Sequence, residues 1–247
     1  MECLCSMDTM YFLMKSDKKV KTDKKKSGGM DWKKAALIIV GILFAVTMIV
    51  SSLGTGWLVG LKAIQAGDSV VVEYTLRDSY GRPALTATER TYTTAYENGE
   101  LVWYTGPISL IAVGTTGEVV APVPAFRDDY GEADFALFGQ EQNQIAAGLP
   151  GMKQGETKRI TLTDTDQFGQ EITGAQFDDM GGNFSVARIG DQFPLAFMTS
   201  IVEDNEENTT VKYAVRTAYV TGKTDQNISI SYAYPVADIS IVQFTSS

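Results

Sequence analysis

The longest apolar run in the chain lies near its N-terminal end. Residues 35–61 contain no charged side chain. As a helix with a rise of 1.5 Å per residue, this run reaches about 40 Å, and the hydrocarbon core of a bilayer is about 30 Å thick. The pattern therefore predicts a single transmembrane helix over residues 35–61, with the lipid bilayer as its partner.

Beyond residue 67 the alternation of apolar and polar positions is typical of β-strands. Residues 69–76 are predicted as a strand from their β-branched and aromatic side chains, and the clearest alternation is at residues 158–163, 211–216, 228–232 and 238–244. One short helix is predicted near residues 140–147, because Gly148 and Pro150 follow it as stop signals. Together these patterns predict an α+β fold that is dominated by antiparallel sheet and has one short helix.

The charge distribution predicts an orientation for the apolar helix. Residues 1–34 hold nine lysines and five acidic residues, whereas the rest of the chain holds 12 basic and 25 acidic residues. Because lysine-rich flanks stay on the cytoplasmic side, we expect residues 1–34 in the cytoplasm and residues from about 65 onward outside it. A cleaved signal peptide is the alternative, but the length of the run favours an uncleaved anchor.

The composition excludes several kinds of chemistry. The chain has no histidine, and its two cysteines are Cys3 and Cys5. Catalysis by Ser-His-Asp or Cys-His arrangements and histidine-ligated metal sites are therefore excluded, and two thiols cannot build a four-thiolate site. A net charge of −9 argues against a general nucleic-acid binder. We expect no metal, no cofactor and no nucleic-acid partner.

Several segments resemble FKBP-type peptidyl-prolyl cis-trans isomerases. Residues 67–75 (GDSVVVEYT), followed by a turn at Gly81, resemble the opening strand of that family. Residues 151–162 (GMKQGETKRITL) resemble its helix exit and next strand, and residues 166–169 (DQFG) fall where the family has an aromatic-glycine motif. A block that begins at Ile189 resembles the insert in the flap of SlyD-like members.

The resemblance implies an antiparallel FKBP-like half-barrel with one short helix and a nested β-rich insert, preceded by the transmembrane helix. It assigns residues 67–173 and 235–247 to the FKBP-like domain and residues 174–234 to a module like the insert-in-flap. Residues 97–134 have no counterpart in the family. The implied function is a membrane-anchored prolyl isomerase and folding helper that acts on proline-containing unfolded or exported polypeptides.

Prolyl isomerisation suits a chain without histidine, because no bond is broken and a dry pocket need only favour the twisted amide. Carried over by position from the family, the catalytic residues are Tyr74 and Phe168, and the substrate-binding residues are Phe135, Ile145, Ala146, Leu149 and Ile241. The helix alignment stays open. Counting back from Gly151 places Ile145 at the pocket floor, whereas counting from Phe138 places Leu149 there.

Three positions depart from the pattern of the family. Leu85 stands where the family has an aspartate, Phe168 replaces a tyrosine, and Tyr234 replaces the histidine of the insert. The first two changes remove polar groups from the predicted pocket. The alternative function is therefore a non-catalytic polypeptide-binding chaperone or cell-envelope interaction domain on the same fold, with the apolar run 193–198 as its client-binding surface. A third alternative is an unrelated β-sandwich surface protein.

Overall fold

A computed structural model of the chain describes residues 32–52, 62–205 and 208–247. Most of the lysine-rich segment and residues 53–61 of the predicted anchor lie outside the described residues. The chain divides into a short N-terminal unit, which contains one helix, and a larger unit, which contains the sheet.

Helix α1 (Trp32–Ser52) forms the described part of the N-terminal unit. An 18-residue stretch of this 21-residue helix has a mean hydropathy of 2.5, and none of the helix residues is buried against protein. A helix of this length spans about 31 Å, which matches the hydrocarbon core of a bilayer. By length and composition, α1 can therefore cross a membrane, as the apolar pattern predicted. It begins three residues earlier than expected, at Trp32.

Twelve strands among the described residues form one curled, mixed sheet in the larger unit. The strands are β1 (Ser69–Arg77), β2 (Pro83–Thr86), β3 (Trp103–Thr105), β4 (Ile108–Ile111), β5 (Val120–Arg127), β6 (Gly131–Phe138), β7 (Thr157–Thr161), β8 (Gly169–Thr173), β9 (Gln192–Asn205), β10 (Asn208–Lys223), β11 (Asn227–Ser231) and β12 (Val236–Thr245). Their order in the sheet is β7-β12-β1-β2-β3-β5-β6-β10-β11-β8, with β4 paired to β1 and β9 paired to β10.

Three α-helices accompany the sheet in the described part of this unit, where the sequence predicted one. They are α2 (Glu89–Glu97), α3 (Gly139–Ala147) and α4 (Gly174–Asp179). A 3-10 turn at Asp166–Phe168 lies between β7 and β8. The predicted helix is α3. Helix α2 was missed because its sequence, ERTYTTAYE, contains three threonines, which are poor helix formers.

The sheet is mixed, so the prediction of an antiparallel sheet holds for most pairs but not for all. Strands β2 and β3 run parallel at Leu85 and Trp103, and β6 and β10 run parallel at Phe135 and Val215. Parallel neighbours need a crossover connection, and α2 supplies it between β2 and β3. The result is an α+β fold whose sheet curls into a half-barrel.

The main core lies inside the half-barrel. In the first part of β1 the buried side chains alternate, with Val70, Val72 and Tyr74 facing inward. Helix α3 covers this core with Ile145, and Leu149 follows just after the helix. The fold therefore brings the predicted opening strand and the predicted helix against one interior.

The segment assigned to the insert has a small core of its own. Phe177, Val220, Ile228 and Ile230 pack together there, apart from the main core. Strand β8 pairs with β11, and β9 pairs with β10 as a long hairpin. The exact division at residues 174 and 234 stays a prediction.

Candidate functional site

Most of the predicted pocket residues lie in the closed interior. Six of the seven are at most 3% exposed, namely Tyr74, Phe135, Ile145, Ala146, Leu149 and Ile241. Five of these six belong to the main core, and Ala146 is buried on α3 beside it. The seventh, Phe168, lies instead on an open groove. The structure thus brings the six together but separates them from Phe168.

Residues without a counterpart in the resembled family help to fill the interior. Trp103, on β3, is the largest fully buried side chain, and it packs in the same core as Tyr74. The Tyr74 hydroxyl and the Trp103 indole N–H have no hydrogen-bond partner among the described residues. Burial raises the pKa of Tyr74 far above its ordinary value; the nearby Thr105 side chain opposes this shift, and the Glu141 carboxylate adds to it. The Tyr74 side chain is 1% exposed, so the interior around it is closed to a ligand.

A second, open space lies beside α3. This groove has a volume of about 1090 Å³. Its apolar lining residues are Val119, Val120, Phe138, Ala147, Phe168, Phe197 and Tyr232, and its polar lining residues are Glu118, Gln140, Asn143, Gln144, Thr163, Asp164 and Gln167. One wall is therefore apolar and aromatic, and the other consists mainly of amide side chains.

Four aromatic rings from separate segments meet in the groove. Phe138 ends β6, Phe168 lies in the 3-10 turn, Phe197 lies on β9, and Tyr232 follows β11. The Phe138 ring centroid is 4.6 Å from that of Phe168 and 5.6 Å from that of Phe197, and the Phe197 and Tyr232 centroids are 5.2 Å apart. Aromatic pairs at these separations attract each other beyond the burial of their area. The cluster forms an apolar surface that is only partly covered by protein.

A buried ion pair supports this cluster from beneath. Arg216, on β10, is fully buried, and its guanidinium lies 4.0 Å from the centroid of the Phe138 ring and 4.0 Å from that of the Tyr234 ring. It donates to both carboxylate oxygens of Glu141, at 3.0 and 2.6 Å. It also donates to the Ala136 and Tyr232 carbonyls, at 2.7 and 2.8 Å. Arg216 therefore joins β10 to α3, to β6 and to the segment that carries Tyr232.

The amide wall is held by a local hydrogen-bond network. Gln140 and Gln144 each donate a side-chain N–H to the Thr163 carbonyl, at 3.2 and 3.1 Å. The Thr163 backbone N–H donates back to the Gln144 side chain, and Gln167 donates to Gln140 at 2.7 Å. This network fixes α3 against the segment after β7, so the groove is preformed on both sides.

The sequence identified part of this groove and missed the rest. Phe168 was a predicted site residue, and Phe197 lies in the run predicted to bind clients. Phe138, Tyr232 and Arg216 were not predicted to act here. No signal within one segment could have found them, because they meet only through the pairing of distant strands.

The chain matches no protein-family model and no curated protein. Within the described residues, no group of three or more Cys, Asp or Glu side chains could hold a metal ion. The function must therefore be argued from the geometry of the groove itself.

Proposed function

We propose that the larger unit is a polypeptide-binding domain, held at a membrane by α1, that takes apolar segments of unfolded or exported chains in its groove. The observation that carries this proposal is the aromatic cluster in a groove of about 1090 Å³, in which Phe168, Phe197 and Tyr232 are half-buried around the buried ring of Phe138. Small-molecule sites usually measure about 300–1,000 Å³ and are more enclosed. An open aromatic groove of this size fits a stretch of chain with several apolar side chains.

Prolyl isomerisation is the second candidate function. In its favour, the elements β1, α3, β7 and β12 follow each other in the order expected from the resemblance, and Phe168 lines the groove. Against strong catalysis, Tyr74 lies in the closed core, and Phe168 has no hydroxyl to donate. Desolvation of the twisted amide requires a dry pocket, whereas this groove is open to water. We therefore infer that binding is the main activity and that any isomerisation is slow.

Our topology proposal puts the N-terminal segment in the cytoplasm and the larger unit outside it. The proposal rests on the nine lysines among residues 1–34 and on the strongly acidic composition of the remainder. Protease added to cells with a permeable outer layer should cleave the larger unit and leave the N-terminal segment intact. Protection of the larger unit in such cells would contradict this orientation.

The binding proposal can be tested with the full chain in lipid nanodiscs. A fluorescent peptide with a Phe-Pro-Leu core would be titrated and followed by anisotropy. Phe197→Ala and Tyr232→Ala should each weaken binding about fivefold, because each removes an aromatic contact worth about 1 kcal/mol. Tyr213→Ala is the matched control, since Tyr213 is 59% exposed on the same hairpin but does not line the groove. Equal affinities for all four proteins, or no binding by the wild type, would contradict the proposal.

The isomerase alternative needs a separate measurement. Exchange between the cis and trans forms of a proline peptide can be followed by NMR without a coupled protease. Under the binding proposal the full chain accelerates this exchange little, and Tyr74→Phe has no effect on peptide affinity. Strong acceleration that is lost in Tyr74→Phe would favour the isomerase and would mean that the core around Tyr74 opens.

A further inference from the structure

The charged residues that line the groove are all acidic. Of the fourteen residues that line it, Glu118 and Asp164 are acidic, and none is Lys or Arg. The nearby cation, Arg216, is fully buried beneath the rings and is already paired with Glu141. A ligand in the groove therefore meets two carboxylates and no exposed cation among the lining residues.

These two carboxylates have no cationic partner among the described residues, although the Asp164 carboxylate accepts a hydrogen bond from the Thr163 hydroxyl at 3.3 Å. Both side chains are exposed, and among the described residues neither forms a salt bridge. Beyond the N-terminal 34 residues, the chain holds 12 basic and 25 acidic residues. The field of the larger unit thus has the same sign as the groove, and it attracts cationic segments while it repels acidic ones.

The aromatic wall adds a second attraction for cations. Lys and Arg side chains bind to the faces of aromatic rings when they lie within about 6 Å of the ring centroid. Phe168, Phe197 and Tyr232 are each partly exposed on the groove. A chain segment can therefore pack its apolar side chains on these rings while its flanking cations reach Glu118 and Asp164.

We propose that the groove selects polypeptide segments in which apolar or aromatic residues are flanked by Lys or Arg. This inference rests on the proposed polypeptide-binding function and names the class of segment that the groove takes. Its basis is the combination of an aromatic wall, two unpaired carboxylates and the lack of any cation among the lining residues. An acidic segment of equal hydrophobicity binds poorly, because its charges face those of Glu118 and Asp164.

The test compares three peptides that share one Phe-Pro-Leu core and differ only in their flanks, which are Lys, Ser or Asp. The full chain is placed in nanodiscs of phosphatidylcholine, whose zero net charge prevents the lipid from capturing the Lys peptide. We expect affinity in the order Lys, Ser, Asp, with about tenfold or more between Lys and Asp at low salt, and a smaller ratio at high salt. A peptide with Lys flanks and a Gly-Ser core should bind weakly.

Two double variants assign the selectivity to the groove. Glu118→Gln with Asp164→Asn should reduce the preference for Lys flanks about fivefold, the effect of two surface ion pairs. Asn at position 164 tolerates the left-handed backbone of Asp164, whose φ is 55°. Glu97→Gln with Asp225→Asn is the matched control, because both residues are exposed outside the groove and the change in net charge is the same.

The outcomes separate this inference from the binding proposal. If no peptide binds, the proposed function itself fails. If all three peptides bind equally, the binding function stands and the selectivity is refuted. An equal loss of preference in the control variant would assign the effect to the overall charge of the unit and overturn the role of Glu118 and Asp164. Tight binding of the Gly-Ser peptide would also overturn it, because the aromatic wall would then contribute nothing.

Discussion

The ion pair between Arg216 and Glu141 should be among the most sensitive points of the fold. Arg216 has no exposed side-chain surface and Glu141 has 1%. Two perturbations remove one partner each and keep most of its volume: Arg216→Met and Glu141→Gln. Either one leaves a polar group of the pair in the interior without its charged partner.

The expected cost follows from what each variant leaves behind. Removing one partner of a buried ion pair costs about 3–5 kcal/mol, so two independent effects would add to about 6–10 kcal/mol. In the double variant no buried charge remains, and the main loss is the donor to the Ala136 and Tyr232 carbonyls. An unsatisfied buried carbonyl costs about 1–3 kcal/mol. We therefore expect the double variant to lose about 3–5 kcal/mol, which gives a coupling energy of about 3 kcal/mol or more.

Denaturant unfolding of the full chain in mild detergent measures these values. Trp103 fluorescence is a suitable signal because that side chain is fully buried in the sheet unit. Arg159→Met is the control, since Arg159 also pairs with a carboxylate but its side chain is 66% exposed, and the variant should lose at most about 1 kcal/mol. Additive losses in the double variant, or single losses below about 1 kcal/mol, would refute the view that this pair is a coupled buried unit.

Three further predictions concern stability. The hydrogen bond from Arg159, together with Arg77, outweighs partial burial and holds the pKa of Asp238 below its usual range. The stabilisation that the Asp238 carboxylate gives the fold is therefore present above about pH 4 and is lost as the pH falls below it. Asp238→Asn should make the melting temperature less dependent on pH in this acidic range, and an unchanged pH dependence would contradict this. Tyr74→Phe removes an unpaired buried hydroxyl and should raise the unfolding free energy by up to about 1 kcal/mol. A lower unfolding free energy would instead mean that the hydroxyl has a hydrogen-bond partner in the folded protein. Val113→Gly should raise the unfolding free energy by about 1 kcal/mol in thermal melts, because Val113 is β-branched, has a φ of 62° that strains its backbone, and is 51% exposed. A lower unfolding free energy in this variant would argue against strain at Val113.

Local patterns in the sequence predicted the elements that are determined locally. Strand β1 forms where β-branched and aromatic residues cluster, and α3 ends where Gly148 and Pro150 follow it. Helix α2 could not be predicted in the same way. Its threonines disfavour a helix, and it is stabilised instead by the packing of Tyr92 and Ala95 against Val102. Tertiary contacts therefore decided what local propensity could not.

The site illustrates a different limit of sequence reasoning. The resemblance placed Tyr74 in a pocket at the open end of the half-barrel, but whether that end is open depends on other strands. Trp103 occupies the same interior, and it reaches it only because β3 joins the sheet parallel to β2. The groove also depends on the pairing of distant strands. Phe138 and Phe197 come together because β10 pairs with both β6 and β9. Long-range pairing leaves no mark in any single segment.

The pairing of β1 with β12 has a consequence for how the protein is made. It joins residues 69–77 to residues 236–245 through nine registered pairs, and β12 in turn carries β7. The half-barrel therefore cannot close while β12 is still inside the ribosome, and the edge of β1 that pairs with β12 stays unpaired throughout the synthesis of the intervening chain. Closing a loop of this length is slow, because its entropic cost precedes any gain from contacts. The nascent chain thus passes through a long interval in which it is itself an unfolded, apolar polypeptide.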